Sequence, residues 1–338
     1  METRKVQISG GSTFIVSLPK TWAKKNGISS GSSLNIMEDK NGHLILSPHP
    51  MNFKEYITGE IRISGKESPD ALMRRLVGAY VSGVNNIIVV SEGAMSPLHA
   101  RKVREFTRLV MGVEIVEERK DIIKLQDLID PADFSVKTGL KRMSYITEKM
   151  IEDFLRGMKE EDMGFLDDVI TRDIEVDRIN WLIHKEYNMV NQSPKVADKT
   201  DISTEEAFNY MLSARIVERV ADHTVSMAEH IKKLGESSDG EIIKTINKDG
   251  GIAKDIFSDS VASLFSENLK MADDVIDRSR MLKDKLEPHL KKVFTLPADE
   301  AVLLAYVLNS IERIGAYGGD IGKVTLNTFT PVKPVQDL

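Results

Sequence analysis

Val217-Glu218-Arg219-Val220-Ala221-Asp222 returns 94 residues later (312 − 218) as Ile311-Glu312-Arg313-Ile314-Gly315-Ala316. Both stretches lie inside long segments whose apolar residues recur at helical spacing. Because an internal repeat marks a repeated structural unit, the second half of the chain is predicted to hold two copies of one helical unit. The copies differ at one chemically important position: a carboxylate follows the first Glu by four residues, whereas an alanine follows the second.

The repeat belongs to a region, residues 135–327, in which the pattern is helical almost throughout. Turn signals rich in Gly, Pro, Ser and Asp interrupt this region at residues 192–194, 235–240, 249–251 and 296–298. These breaks predict about six helices, arranged as an all-α pair of three-helix bundles. The Pro-rich tail from residue 328 is predicted to be extended or disordered.

Two smaller modules precede the helical region. Residues 55–125 alternate strand and helix patterns in the order βαβαβ, which predicts a small α/β domain. That segment has no Gly-rich phosphate loop and no catalytic pair, so packing or dimerisation is its expected role, with small-ligand sensing as the alternative. Residues 4–48 show four short strand patterns and a short helix at 20–26. Such a small core is marginal alone, so this N-terminal β module is expected to dimerise.

The composition is typical of a multidomain globular protein. The chain has 338 residues, of which 41% are hydrophobic and 29% charged, and it has no cysteine. Without a long apolar run or a signal core, it is predicted to be cytoplasmic and not inserted in a membrane. The absence of cysteine excludes disulfides and thiolate metal sites. The predicted segments are the β module, the α/β domain, two helical bundles and the tail, at residues 1–50, 51–130, 131–235, 236–327 and 328–338.

The net charge of −6 is unevenly distributed along the chain. Residues 1–50 carry six Lys or Arg against three acids, which is +3, so the remainder carries −9 (−6 − 3). A basic head on an acidic body predicts that any polyanion is bound by the head.

The head also carries a family resemblance. Residues 17–28 read Ser-Leu-Pro-Lys-Thr-Trp-Ala-Lys-Lys-Asn-Gly-Ile, and Gly31, a strand at 34–36 and Leu46-Ser47-Pro48 follow. This order of strand, turn and helix resembles the AbrB/MazE swapped-hairpin family over nearly all of residues 4–48. The resemblance implies an obligate homodimer whose interleaved hairpins present a basic surface to double-stranded DNA.

A surface that binds DNA needs Lys or Arg side chains to neutralise phosphates and small hydroxyl groups to set the register. Ala23 stands where the family commonly has an arginine, and Lys25 beside Lys24 is expected to help replace it. The candidate contacts in this chain are Arg4 and Lys5 on the first strand, Ser12 and Thr13 in the turn, Lys20 at the helix start, and Lys24. The alternative is a pure dimerisation module whose lysines are only solvated.

The helical region contains two pairs of carboxylates at helical spacing. Asp173 and Asp177 lie four residues apart on one helix face, and Glu218 and Asp222 have the same spacing on a later helix. Acids at this spacing repel each other, so a cation is expected to compensate them. Oxygen ligands suit Mg, Ca or Mn, and iron or zinc becomes accessible if His184 or His223 joins. The alternative is ordinary salt bridging to the neighbouring Arg172, Arg178, Arg215 and Arg219.

Residues 213–229, which include Glu-Arg-Val-Ala-Asp-His and Met-Ala-Glu, resemble the signature of the PhoU family. Residues 172–177 resemble its Asp-x-x-x-Asp partner, and residues 306–322 resemble the last helix of a second copy. The resemblance spans about residues 135–325 and implies two related three-helix bundles with metal clusters at the acidic motifs. It assigns metal binding, to divalent or iron ions, to Asp173, Asp177, Glu218 and Asp222.

The second copy departs from the family pattern. Glu312 remains, but Ala316 stands in the position of its partner acid, and Ser279 and Lys283 align with Asp173 and Asp177. Asp273 and Asp277 could supply an acid pair, but one turn away from the expected place. One competent metal site, in the first bundle, is therefore expected.

Together, the two resemblances imply a DNA-binding transcriptional regulator of phosphate uptake and homeostasis with a metal-binding helical body, and not an enzyme. The phosphate link comes only from the family. The alternative is an adaptor that docks a phosphate transporter, such as its ATPase subunit, or a signalling partner, while the head only dimerises. A metal-dependent hydrolase is a third interpretation, but no general base or nucleophile stands out beside the carboxylates.

Overall fold

The computed structural model describes residues 2–38, 42–48, 57–130, 134–192, 196–197, 200, 202–235 and 240–331. The chain divides into two compact units, Met1–Glu55 and Tyr56–Leu338, and each is described by itself. The boundaries of the five predicted segments stay a prediction. Among the described residues, no helix is both long enough and apolar enough to cross a membrane.

The first unit consists of two antiparallel hairpins and one short helix. Strand β1 pairs with β2 so that Ser9 lies opposite Thr13, and β3 pairs with β4 so that Asn35 lies opposite Ser47. The first hairpin turns at Gly10 and Gly11, whose φ angles of +63° and +86° favour glycine. The elements are β1 Gln7–Ser9, β2 Thr13–Ile15, α1 Lys20–Lys25, β3 Asn35–Glu38 and β4 Leu44–Ser47. The turn predicted at residues 39–42 lies mostly outside the described residues.

The apolar side chains of this first unit remain open to solvent. None of its described residues is buried, and Phe14 and Leu44 are 74% and 67% exposed. Val6, Ile8 and Ile36 are exposed by more than half as well. Alternating apolar residues on short strands are typical of a sheet with a covered face, so a single copy of this unit does not bury its own core.

The second unit begins with an α/β domain in which two helices cover one face of a four-stranded sheet. Its sheet order is β5-β6-β8-β7, with β5 parallel to β6 and the other pairs antiparallel. Apolar residues of β5, β6 and β8, such as Ile63, Val89 and Leu125, form its core with the helices. The elements are β5 Thr58–Ile63, α2 Pro69–Val81, β6 Asn86–Ser91, α3 Pro97–Leu109, β7 Val113–Glu118 and β8 Ile122–Asp127.

The sequence pattern predicted three strands for this domain and missed the fourth, β8, which lies between β6 and β7. The turn that leads into it, Arg119-Lys120-Asp121, contains no Gly, Pro or Asn. It is closed by a hydrogen bond that the Arg119 amide donates to the Ile122 carbonyl at 2.7 Å. The usual hairpin signal was therefore absent from the sequence.

Six long helices follow and share one hydrophobic core. They confirm the predicted pair of three-helix bundles. Their bounds are α4 Val136–Glu160, α5 Met163–Gln192, α6 Thr204–Leu234, α7 Gly240–Ser266, α8 Leu269–Val293 and α9 Ala298–Phe329. Helix α6 begins with a capping box, in which Ser203 and Glu206 satisfy each other's backbone amides. The last helix ends at Phe329, two residues beyond the predicted limit, and residues 332–338 lie outside the described part.

One predicted helix break is wrong. The turn expected at residues 249–251 lies inside α7, because Gly250 is a packing glycine and not a helix terminator. A Cβ at position 250 would lie 2.6 Å from Leu155 Cδ2, so the missing side chain lets α7 approach α4. The sequence also carried no glycine at two true breaks, where Glu161 and Glu267 adopt a positive φ of 56°.

Helix α5 connects the α/β domain to the first bundle. Its N-terminal half packs in the helical core, whereas Leu182 belongs to the core of the α/β domain. Lys185 forms an ion pair with Asp127 of β8, and both side chains are at most 1% exposed. Asn188 donates a hydrogen bond to the Val81 carbonyl at 2.8 Å. The helix that carries Asp173 and Asp177 thus also packs against the α/β domain.

Candidate functional site

The four predicted metal ligands lie on two neighbouring antiparallel helices of the first bundle. Asp173 and Asp177 are in α5, and Glu218 and Asp222 are in α6. An ion pair between Asp167 of α5 and Lys232 of α6 sets the register of the two helices. Counting ten residues inward on each helix brings Asp177 level with Asp222 (177 − 167 and 232 − 222). The structure therefore brings both acid pairs to the same α5–α6 seam.

These acids share one electrostatic environment. Burial, followed by the charges of Asp177 and Asp222, raises the pKa of Asp173 to about 7. Burial and the charge of Asp222 raise the pKa of Asp177 to about 6. The Glu218 residue is 8% exposed, and burial together with Asp222 raises its pKa to about 7, although Arg215 opposes the rise. Each raised pKa means that the ionised carboxylate is disfavoured in the folded protein.

Several polar atoms near this seam lack a hydrogen-bond partner. Asp173 Oδ1 and Glu218 Oε2 are buried and unpartnered. On the helices α4 and α5, the Ser144 and Thr147 hydroxyls, Asn180 Oδ1 and His184 Nε2 are buried without a partner as well. Buried carboxylate oxygens without donors are costly, and hard cations take such oxygens as ligands.

Salt bridges to the neighbouring arginines, the alternative to a metal, neutralise only one of the four acids among the described residues. Arg215 Nη1 lies 2.7 Å from Glu218 Oε1, so one oxygen of Glu218 is paired. Arg172 instead binds Asp153 of α4 at 2.9 Å and Asp168. Among the described residues, Asp173, Asp177 and Asp222 form no ion pair. Ordinary salt bridging therefore leaves most of the acidic charge uncompensated.

The four side chains offer carboxylate oxygens, which are the ligands that hard cations prefer. In this structure, however, these oxygens do not converge on one position. Within the described ranges, no three His, Asp or Glu side chains form a ready-made ligand set. His223 is turned toward the second bundle, where its Nδ1 lies 3.2 Å from Ser310 Oγ and its ring packs on Tyr317 of α9. His184 stays on α5 near Arg215, and burial lowers its pKa.

The second bundle supplies an internal comparison. Arg278 pairs with Asp259 as Arg172 pairs with Asp153, and both partners are shifted by 106 residues (278 − 172 and 259 − 153). The same shift places Lys283 at the position of Asp177. Lys283 Nζ lies 3.9 Å from Oε1 of Glu312, the repeat partner of Glu218. The second bundle thus carries a built-in ammonium group in place of a carboxylate.

The other acids of the second bundle do not form a site. Asp273 and Asp277 are exposed, and Asp277 pairs with Arg280 at 3.0 Å. Ser279, at the position of Asp173, lies under Gly319, where a Cβ would be 2.6 Å from the serine Oγ. Helix α9 therefore packs directly on this position.

Sequence reasoning missed two buried ionic groups. The first is the ion pair between Lys185 and Asp127. The Lys185 ammonium group also lies 4.9 Å from the centroid of the Tyr80 ring. The adjacent Glu186 is fully buried with both carboxylate oxygens unpartnered, and burial raises its pKa to about 7. In the sequence, Lys185-Glu186 reads as an ordinary solvated pair, so no local signal identified it.

The second missed group lies in the other bundle. Asp249 is fully buried and lies 2.6 Å from Lys285 Nζ and 2.7 Å from His289 Nδ1. It lies inside the segment that the pattern predicted as a turn, so its burial was not anticipated.

The six predicted DNA contacts are all exposed in the first unit. Arg4 and Lys5 precede β1 and do not lie on it, which corrects the predicted placement, and Arg4 pairs with Glu2. Ser12 is in the hairpin turn, and Thr13 begins β2. Lys20 and Lys24 lie at the start and in the last turn of α1. The side chains are therefore accessible on one small module.

Comparisons with known proteins match both parts of the chain. A family model described as the PhoU domain matches residues 140–231, which include all four acids. A model described as "Antidote-toxin recognition MazE, bacterial antitoxin" matches residues 7–54. A curated relative from Clostridium acetobutylicum, the "Phosphate-specific transport system accessory protein PhoU homolog", is 24% identical over 204 residues, covering 56% of this chain and 89% of the relative.

Two solved structures resemble the chain. The phosphate transport system regulatory protein PhoU from Streptococcus pneumoniae aligns with a TM-score of 0.50 and 13% identity, covering 58% of this chain and 93% of that one. PhoU from Pseudomonas aeruginosa aligns with a TM-score of 0.49 and 17% identity, covering 56% and 93%. The first alignment shows a related fold.

Proposed function

We propose that this chain, which joins a PhoU-type helical body to a MazE/AbrB-like head, is a dimeric DNA-binding regulator of phosphate uptake with a metal site in its first bundle. The observation that carries the proposal is the union of the two domains in one chain, with an uncompensated acid seam inside the PhoU-type region. The relatives are named as regulatory and accessory proteins of phosphate transport, which favours regulation over catalysis.

The head supports the DNA-binding and homodimer parts of the proposal. Its exposed apolar strands require a second copy to cover them, and its net charge is positive. Arg4, Lys5, Lys20 and Lys24 would neutralise phosphates, while Ser12 and Thr13 would set the register on the duplex. In a homodimer, the two heads would together present this basic surface to DNA.

The acid seam supports the metal part. Asp173, Asp177, Glu218 and Asp222 would hold a divalent or iron ion, which when bound supplies the positive charge that the seam lacks. The unpartnered oxygens of Asp173 and Glu218 are available as ligands. The second bundle supports the same assignment, because Lys283 provides a positive charge beside Glu312. Drawing the four carboxylates together would tie α5 more firmly to α6.

This arrangement suggests how a signal could travel. Helix α5 carries two of the acids and, through Lys185 and Asp127, the α/β domain. A ligand that binds one arrangement of α5 and α6 more tightly would increase the population of that arrangement. Because α5 also packs on the α/β domain, the position of that domain would change with it. Affinity for DNA would then depend on the occupancy of the seam.

Fluorescence anisotropy tests the proposal, with duplex DNA from upstream of phosphate-transport genes titrated across a salt series. Arg4→Ala/Lys5→Ala is compared with the control Lys66→Ala/Lys120→Ala, which removes two exposed lysines from the α/β domain. We expect the head variant to weaken binding and to reduce the salt slope by about 0.9 for each DNA phosphate that it no longer neutralises. Equal weakening in both variants would refute DNA binding through the head, and no wild-type binding at low salt would refute DNA binding altogether.

A second candidate, an adaptor for a transporter ATPase subunit, is favoured by the name of the curated relative, an accessory protein of a transport system. Exposed apolar residues on α9, Val302 and Tyr306, offer a contact surface. Recovery of the ATPase subunit with the wild type, but not with Val302→Asp/Tyr306→Asp, would favour this candidate if DNA binding is absent.

A further inference from the structure

A cleft of about 1440 Å³ opens at one end of the helical body, where α4 and α6 end and α5 and α7 begin. Its floor is apolar and includes Met158, Leu166 and Ile231, which are at most 6% exposed. Its rim is basic and includes Lys159, Lys244 and Lys248. Small-molecule sites usually have volumes of about 300–1,000 Å³. The cleft is larger than this, so it can hold a molecule bigger than a single inorganic ion.

The seam between α4 and α7 determines how these lysines are arranged. Ser258 donates a hydrogen bond to Glu148 at 2.7 Å, and Lys254 lies 3.4 Å from Glu152. In antiparallel helices this register continues to bring Lys159 level with Asn247 (each pair of numbers adds to 406). Lys244 and Lys248 lie one helical turn apart on either side of Asn247. The register and the lining therefore place these three lysines and Asn247 along one cleft.

The charges at this end of the seam are not compensated. Lys254, two turns further along α7, is neutralised by Glu152 and Asp255. Among the described residues, in contrast, Lys159, Lys244 and Lys248 form no ion pair. The nearby Glu160 forms an ion pair with Arg156, with 3.0 Å between Arg156 Nε and Glu160 Oε1. Glu161 is exposed and forms no ion pair among the described residues. All three lysines are exposed, so their ammonium groups are accessible to an anion that enters from solvent.

We propose that this cleft binds a phosphorylated ligand that has an apolar or aromatic portion. Lysine ammonium groups bind phosphate as point charges from several directions, and three of them suit a multiply charged group. The Asn247 amide adds a neutral donor, and the apolar floor beneath would take the uncharged part of the molecule. A nucleotide and an acidic lipid headgroup share this chemistry. The site is separate from the acid seam and does not depend on metal binding there.

Isothermal titration calorimetry of the full-length protein with ATP, and sedimentation with phosphatidylglycerol vesicles, distinguish the two sources. Lys159→Gln/Lys244→Gln/Lys248→Gln is compared with Lys66→Gln/Lys137→Gln/Lys270→Gln, which removes three exposed and unpaired lysines elsewhere. We expect the cleft variant to bind one of the probes about tenfold more weakly or worse, while the control binds like the wild type. Circular dichroism melts confirm that each variant is folded.

Two results would overturn the proposal. The first is a wild type that binds neither ATP nor the vesicles, or that loses binding equally in both triple variants. The second concerns Glu236 and Asp239, acids of the connection between α6 and α7 that lies outside the described residues. If ligand binding appears only in Glu236→Gln/Asp239→Asn, the chain's own acids neutralise the cleft lysines, and the cleft is not a ligand site.

Discussion

Replacing Glu218 by glutamine should stabilise the metal-free protein at pH 8. The Glu218 side chain is 10% exposed, so solvent screening of its charge is limited. Its pKa rises from the ordinary value of 4.5 to about 7, and each unit corresponds to about 1.4 kcal/mol, so ionisation costs roughly 3 kcal/mol. The attraction of the half-exposed Arg215 already lowers this pKa, so the loss of its ion pair is included in that figure. We therefore expect a net stabilisation of about 3 kcal/mol.

The pH dependence follows from the direction of the shift. Below pH 4.5 the carboxyl group is protonated in both the folded and unfolded states, so wild type and variant differ little. As pH rises from about 4.5 to about 7, the unfolded chain releases a proton that the folded protein retains, and wild-type stability falls. Above pH 7 the difference is constant. Glutamine does not titrate, so the advantage of the variant should grow across this window.

Thermal unfolding followed by circular dichroism at 222 nm, in EDTA and between pH 4.5 and 8, measures the effect. For a helical body of this size, about 3 kcal/mol corresponds to about 6–12 °C in Tm. Glu312→Gln is the matched control, because Glu312 occupies the equivalent position beside Lys283 and should gain nothing. An equal Tm for Glu218→Gln and wild type at pH 8, or the same difference at pH 4.5, would refute the reasoning.

Three further predictions concern the seam, the head and the packing. Asp173→Asn/Asp177→Asn should weaken Mn²⁺ binding at least about tenfold by calorimetry, because two of the four carboxylate charges are removed; unchanged affinity would place the ion elsewhere. Phe14→Asp should convert the dimer to a monomer in light scattering, since Phe14 is 74% exposed in one copy; a persistent dimer would contradict this. Gly251→Ala should stabilise α7 by about 0.5–1 kcal/mol, because a Cβ there meets no other atom within 4 Å. Gly250→Ala should not stabilise it, because its Cβ would lie 2.6 Å from Leu155 Cδ2. Equal Tm changes in the two variants would contradict the packing role of Gly250.

Local patterns predicted much of this fold because the interactions involved are local. Helical periodicity depends on residues three and four apart, so the helical body could be predicted without knowing its neighbours. Gly10 and Gly11 mark a hairpin for the same reason, since they adopt backbone angles that other residues avoid. The MazE-like and PhoU-like composition was likewise visible in contiguous stretches, and the family matches confirm it.

The errors arose where a distant segment decides the meaning of a residue. Gly250 reads as a helix terminator until α4 is seen against it, because only the position of Leu155 makes a side chain impossible there. Strand β8 pairs with β6 and β7, and its weak turn signal could not reveal those partners. Lys185 and Asp127 are 58 residues apart, so no local spacing indicates their pairing.

By itself, the sequence determined that Asp173, Asp177, Glu218 and Asp222 lie in two pairs on helix faces, because spacing of four residues is a property of one helix. It also determined that the second copy lacks the matching acids. Only the tertiary structure decided that the two faces meet on one seam, that Arg215 pairs with one acid alone, and that Lys283 stands beside Glu312. The physical reason is that burial and charge compensation depend on which helices pack together, and that packing is set by contacts far apart in the chain.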